Sequence, residues 1–215
     1  MSEILSPIEN FCAHAKLPWD EERAERMEHY LDLLMQFNEA MNLIGPLDRR
    51  TVVDELLVDS LAPAAARAPR GPMLDVGTGA GLPGIPLKIV FPELPLTLVE
   101  PRQKRSTFLK IATHRLGLED VTVIRARIEE FDEFEHFDMV VSKAFQPPAK
   151  WLRTAMPFAC AGGAVVCMAR RKNRPELLEV ADELGVNPVG HSTLGKKSPE
   201  QRVCFAFEKQ GRQEP

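Results

Sequence analysis

The run Leu74-Asp75-Val76-Gly77-Thr78-Gly79-Ala80-Gly81-Leu82-Pro83-Gly84 constrains this chain more than any other stretch. A short apolar segment enters a turn with glycine at 77, 79, 81 and 84. Twenty-five positions after Asp75, Glu100 closes a second apolar run, Leu96-Thr97-Leu98-Val99. Strand, glycine turn, helix, strand and acid are the layout of a nucleotide-type cofactor site. Glycines at 77 and 79 let the backbone approach a ligand closely. A carboxylate ending the second strand is suited to ribose hydroxyls, which is the role expected of Glu100. Asp75, just before the turn, places a negative charge near the ligand's middle. That arrangement favours the cationic amino-acid end of S-adenosylmethionine and repels a pyrophosphate. A dinucleotide, or a turn with no ligand, remains open on this pattern alone.

The length of 215 residues suits one good-sized domain with a small appendage. The cluster Ala68-Pro69-Arg70-Gly71-Pro72 is the one boundary signal, dividing a helical extension at 1–70 from a ligand-binding domain at 71–215. No apolar run approaches the roughly 20 residues that a membrane span needs. No secretory leader is visible, and Cys12, Cys160, Cys167 and Cys204 lack metal-ligand or disulfide spacing. The same holds for the five histidines. The expectation is a cytoplasmic monomer without membrane or metal. The net charge of −4 means that any nucleic-acid contact must come from a local cluster of cations.

Helical spacing predicts helices starting at Ser6, with the serine as cap, over 20–41, and from Thr51 onward. Beyond residue 72 the pattern alternates. Strands are expected at 73–76, 96–100, 121–125, 138–142, 164–168 and 203–208, with helices at 85–90, 104–116, 149–157 and 175–184. This predicts an α/β fold with a mainly parallel sheet and helices on both faces. The segment 190–209 has strand signals without an intervening helix, which favours an antiparallel hairpin at the sheet edge. Such sheets bind ligands at the carboxyl ends of their strands. Three basic clusters are candidates for RNA phosphates: Arg102, Lys104 and Arg105; Arg170, Arg171, Lys172 and Arg174; and Lys196, Lys197 and Arg202. The second follows a predicted strand directly and so sits at the rim of the expected site.

Asn42-Leu43, Asp59-Ser60-Leu61, Leu74 to Pro86, Lys104-Arg105 with Phe108-Leu109, Arg127-Ile128-Glu129-Glu130 and Ser142-Lys143-Ala144-Phe145 occur in an order that resembles the GidB family, also called RsmG. These are bacterial methyltransferases of guanine N7 in 16S ribosomal RNA. The resemblance implies a Rossmann-like class I methyltransferase with an N-terminal helical cap. It implies S-adenosylmethionine as donor, and a guanine of the 530 loop, in 16S rRNA or the small subunit, as target. By the same resemblance Gly77 and Leu82 line the methionine and ribose part of the pocket, and Ile128 and Glu129 meet the adenine. Lys143 stands where the family usually has arginine. It is the candidate catalytic cation and a candidate cofactor contact. Phe145 either stacks on the target base or belongs to the core. Departures at Ile44, Glu55, Leu56, Lys143 and Arg170 fall on the face expected to meet RNA. They leave open a methyltransferase for another RNA or a small molecule, or a non-catalytic ribosome-binding protein.

Overall fold

The computed structural model describes residues 3–193 and 202–211. Its centre is a seven-stranded sheet in the order β3-β2-β1-β4-β5-β7-β6. The strands are β1 (Met73–Val76), β2 (Leu96–Val99), β3 (Val121–Ile124), β4 (Phe137–Ser142), β5 (Ala159–Arg170), β6 (Val186–Thr193) and β7 (Arg202–Lys209). β1 and β2 are apolar almost throughout because both of their faces are covered, as expected of central parallel strands. β1 to β5 run parallel. β7 returns antiparallel between β5 and β6. The strand order reverses between β1 and β4, so the crevice for a ligand opens at their carboxyl ends.

The helices are α1 (Ser6–Ala15), α2 (Glu21–Met41), α3 (Arg49–Thr51), α4 (Val58–Ala66), α5 (Gly84–Val90), α6 (Gln103–Arg115), α7 (Pro148–Ala155) and α8 (Arg174–Leu184). Asp20 caps α2 by accepting from Arg23 N at 2.9 Å. Asp48 does the same for α3, accepting from Thr51 N at 2.8 Å.

Three local expectations change. Ser6 lies inside α1, behind a 3-10 turn at Glu3–Leu5, and does not cap it. The third helix starts earlier, at Arg49, because Asp48 supplies the cap. It then passes through a π-helical stretch, Val52–Leu57, before continuing as α4. β5 is longer than its apolar core suggests, since pairing with β7 continues to Arg170. Lys196 and Lys197 lie outside the described residues.

The core has two parts, one on each face of the sheet. Residues of α1, α2 and α4 share one hydrophobic cluster with Ile85, Leu98, Phe108 and Leu109. α7 and α8 cover the other face with Trp151, Leu152, Leu177 and Val180. α4 also touches the far end of the chain. Ser192 Oγ donates to Ala62 O at 2.6 Å, and a Cβ on Gly190 would stand 2.0 Å from Ala66 O. At the amino end of β4, Arg67 is held by Asp138 through two hydrogen bonds of 2.6 and 2.8 Å.

Candidate active site

β1 ends in a turn that is tied down from three directions. From within, Asp75 Oδ2 accepts from the Thr78 hydroxyl at 2.6 Å and from Gly84 N at 2.8 Å. From the side, Glu100 Oε2 accepts from Gly79 N at 2.9 Å while Oε1 accepts from Arg102 N at 2.9 Å. From the N-terminal helices, the Tyr30 hydroxyl donates to Ala80 O at 2.8 Å. The spacing of Asp75 and Glu100 is therefore structural as well as chemical, because each carboxylate fixes a different backbone amide of one loop.

Asp75 differs from its expected place. Its side chain is fully buried beneath the loop, and Oδ2 is committed to Thr78 and Gly84. Oδ1 has no hydrogen-bond partner among the described residues. Burial raises its pKa to about 7, against the opposing effect of its two hydrogen bonds. A buried carboxylate with one unsatisfied oxygen, directly under a glycine turn, fits a ligand that brings positive charge to that turn.

Gly77 has φ +64, a conformation that suits glycine, and it must also lack a side chain. A Cβ there would stand 2.7 Å from the Phe145 ring. Phe145 is brought over Gly77 by Ala144, which adopts a left-handed φ of 55° just after β4. A non-glycine residue in that region costs roughly 1–2 kcal/mol. Such strain concentrates at functional turns. The Ser142 hydroxyl donates to Val76 O at 2.7 Å and clamps the exit of β4 to the exit of β1. Phe145 remains partly exposed and meets Trp151 edge-on at 6.0 Å.

Lys143 sits beside this aromatic ring in sequence, and its ammonium lies 3.5 Å from the carbonyl of Leu56. Burial lowers its pKa to about 8, a shift opposed by the negative charge of Asp59. Asp59 is itself buried on α4, with Arg202 Nη1 2.7 Å from its Oδ2. Its pKa is raised, because burial outweighs the attraction of Arg202 and Lys143. The π-helical stretch immediately precedes this group. Its penultimate carbonyl, Leu56 O, accepts from both Lys143 and the Ser60 hydroxyl, the latter at 2.6 Å. Stretches of this kind recur at functional sites.

Of the remaining expected residues, Leu82 is buried in the loop. Arg105 lies close, its Nη1 3.6 Å from where a Gly79 Cβ would be, while Lys104 is exposed. Ile128 and Glu129 border a shallow cavity of about 190 Å³ with Phe131, Phe134, Thr154 and Phe158. Arg171, Lys172 and Arg174 are exposed in the turn after β5, and Arg170 is the register partner of Arg202. So the structure brings Asp75, Glu100 and Arg105 around the loop that carries Gly77, Gly79 and Leu82, with Lys143 at its border. The Arg171–Arg174 cluster stands apart, along the strand edge. Tyr30 carried no signal of its own and reads as one more apolar position on α2, while Asp59 stood out only through the resemblance, with nothing in the sequence to announce Arg202 and Lys143 as its partners.

Asp75→Ala strips the partner from a buried amide and a buried hydroxyl, a cost of about 1–3 kcal/mol for each group left unsatisfied. The expected result is a lower melting temperature together with loss of ligand binding. A melting temperature equal to the parent's would show that the loop does not depend on this carboxylate.

The family model for GidB, described as rRNA small subunit methyltransferase G, matches residues 23–204. A ribosomal RNA small subunit methyltransferase G from Alkaliphilus metalliredigens is 33% identical over 201 residues, spanning 91% of this chain and 81% of the relative. Another of that name, from Chromohalobacter salexigens, is 38% identical over 173 residues, 80% of this chain and 82% of the relative. Among solved structures, a predicted O-methyltransferase from Agrobacterium tumefaciens matches with a TM-score of 0.57 at 19% identity. The match covers 72% of this chain and 82% of that one, and it is a likeness of fold. With a Rossmann-like sheet, a tethered glycine turn and this kinship along most of its length, the chain belongs to the GidB family of S-adenosylmethionine-dependent rRNA small subunit methyltransferases.

Proposed function

We propose that this chain methylates N7 of a guanine in the 530 loop of 16S rRNA. The observation that carries the reading is the pairing at the glycine turn: the Phe145 ring against Gly77, with the Lys143 cation two positions earlier in the chain. Guanine N7 holds a free lone pair and loses no proton before attack, so the site needs alignment more than a base. S-adenosylmethionine supplies an electrophilic methyl group on a sulfonium. Gly77 and Leu82 would border its methionine and ribose part, Glu100 the ribose hydroxyls, and Ile128 and Glu129 the adenine. Asp75 supports this contact surface from beneath. Phe145 offers a plane for the target base. Holding the reacting atoms about 3 Å apart and in line supplies several kcal/mol. The purine gains the positive charge that the sulfonium loses, so Lys143 gives no electrostatic help to that transfer. The role assigned to it is to donate from its ammonium to an acceptor on the base, such as guanine O6, and so hold N7 toward the methyl group.

Lys104, Arg105, Arg170, Arg171, Lys172 and Arg174 are taken as the contacts to RNA phosphates. Residues 1–70 are taken as a helical cap over a binding domain at 71–215. Their shared hydrophobic cluster supports treating the two as one body. The reading further takes the protein as a cytoplasmic monomer acting on 16S rRNA, free or in the small subunit.

Transfer of labelled methyl from S-adenosylmethionine to free 16S rRNA, small subunits and whole ribosomes tests the assignment, with N7-specific strand cleavage locating the product. Label at one guanine of the 530 loop is expected. Label confined to an exocyclic amine or another RNA would overturn it. The pH profile tests Lys143. Its protonated form dominates below about 8, so turnover should decline as pH rises through that value. Lys143→Arg should carry activity to higher pH, because guanidinium stays charged. Turnover that climbs through pH 8 would mark a base and sink the N7 assignment. Replacing Arg170, Arg171, Lys172 and Arg174 with serine should weaken RNA binding and flatten its dependence on salt. An unchanged salt slope would remove this cluster from the interface.

A further inference from the structure

The loop has a third anchor that no cofactor motif contains. Tyr30 lies in the middle of α2, is fully buried, and donates its hydroxyl to the carbonyl of Ala80 at 2.8 Å. That carbonyl belongs to the peptide entering Gly81, whose φ is +94. A peptide bounded by glycine in that region has little steric preference for one orientation. Here it is gripped at both ends: Gly81 N donates to Thr78 O at 3.0 Å, and Ala80 O accepts from Tyr30. The residue before it, Gly79, is the one whose amide meets Glu100. The orientation of the 80–81 peptide therefore bears directly on the carboxylate assigned to the ribose.

α2 is well placed to act as a splint. Near its start, Arg23 Nε donates to Val90 O at 3.0 Å, at the end of α5. Near its other end, the Phe37 ring meets Phe108 of α6 at 5.4 Å. α5 follows the glycine turn and α6 follows Glu100, so one helix spans both elements that flank the ligand loop, with Tyr30 between the two contacts. The ring of Tyr30 contributes apolar burial, but its hydroxyl has one hydrogen-bond partner among the described residues, and that partner is the loop.

We propose that Tyr30 is a positioning residue for S-adenosylmethionine: its hydroxyl sets the orientation of the Ala80–Gly81 peptide and so couples the seating of α2 to occupation of the cofactor loop. The proposal rests on the cofactor assignment above. It assigns the N-terminal helices a part in donor binding in addition to any contact with RNA.

Tyr30→Phe removes one oxygen and keeps the ring. Calorimetry with S-adenosylhomocysteine should show affinity reduced about tenfold, the scale of losing one buried hydrogen bond. Steady-state methylation of small subunits should show KM for S-adenosylmethionine raised by a similar factor, with kcat and KM for the subunit within about twofold of the parent. A variant that merely packs less well would lose active protein and kcat while keeping its donor KM. Parent-like affinity for S-adenosylhomocysteine in the folded variant overturns the proposal, as does an equal loss in donor and subunit KM. Should the variant fail to fold, hydrogen exchange on the parent decides. Peptides of α2 around Tyr30 should exchange more slowly when S-adenosylhomocysteine is bound, and unchanged exchange overturns the coupling. A parent that gives no heat with S-adenosylhomocysteine fails one level lower, by overturning the cofactor assignment itself.

Discussion

Oδ2 of Asp75 receives two hydrogen bonds across the glycine turn, from the Thr78 hydroxyl and from the Gly84 amide, and through them the end of β1 is locked to the start of α5. The turn contains four glycines in eight residues, so its conformational entropy in the unfolded chain is high and local preference alone does not hold it. A buried carboxylate that binds both sides of the turn substitutes for that missing preference. Glu100 and the Ser142 hydroxyl then align the exits of β2 and β4 on the same loop. The crevice at the carboxyl edge of the sheet has its shape because these exits are clamped together. The cost of burying Asp75 appears in its titration, raised to about 7. Ionising it in the folded state is unfavourable, so the stability it lends diminishes as pH rises from the ordinary carboxylate range toward that value. Positive charge placed above the turn opposes that loss.

A second balance operates at the border of the site. Lys143, Arg202 and Arg170 come from β4's exit, β7's start and β5's end, and the register of β5 with β7 sets the two arginines opposite each other. Like charges paired across strands repel. Asp59 lies buried with Arg202 at its Oδ2 and Lys143 within electrostatic reach, so one carboxylate steadies two cations. Glu55 pushes the Asp59 pKa upward, and Lys143 pulls it down. Lys143 is a point charge on a flexible stem that, unlike an arginine, loses its proton more readily when buried. Leu56 offers its backbone carbonyl to Lys143. Burial therefore makes the charge of this cation depend on pH near 8.

Much of this architecture was legible in the sequence because its signals are local. The alternation of apolar runs with helical spacing gave the strands, the glycine spacing gave the turn, and the lack of a helix signal late in the chain gave the terminal hairpin. Glu100 was legible as an acid ending a strand. What escaped has long separation or no side-chain signature. Tyr30 and Ala80 are 50 positions apart, and Arg202 lies 143 positions from Asp59. Ala144 gives no hint of its left-handed backbone, since only the packing of Phe145 on Gly77 requires it. The π-helical stretch reads as ordinary helix, because its apolar positions fit either spacing over so short a span. Asp75 was read for its charge, whereas its first task is to hold backbone.

The same geometry explains how an acidic protein can work on RNA. A net charge of −4 gives no general attraction to a polyanion. At physiological ionic strength exposed charges act over about 8 Å, so what RNA meets is the local distribution and not the total. Parallel strands deliver their carboxyl ends to one edge of the sheet, and β5 carries its basic run, Arg170 to Arg174, just past that edge. Because β7 runs antiparallel, it begins where β5 ends and adds Arg202 to the same rim. Acidic residues elsewhere, such as Glu22, Asp32 and Glu183, are exposed and paired within the protein to Arg26, Arg49 and Arg153. Strand direction thus gathers these cations at the end of β5 and the start of β7, to one side of the glycine turn, where the proposed contact with RNA phosphates would need them.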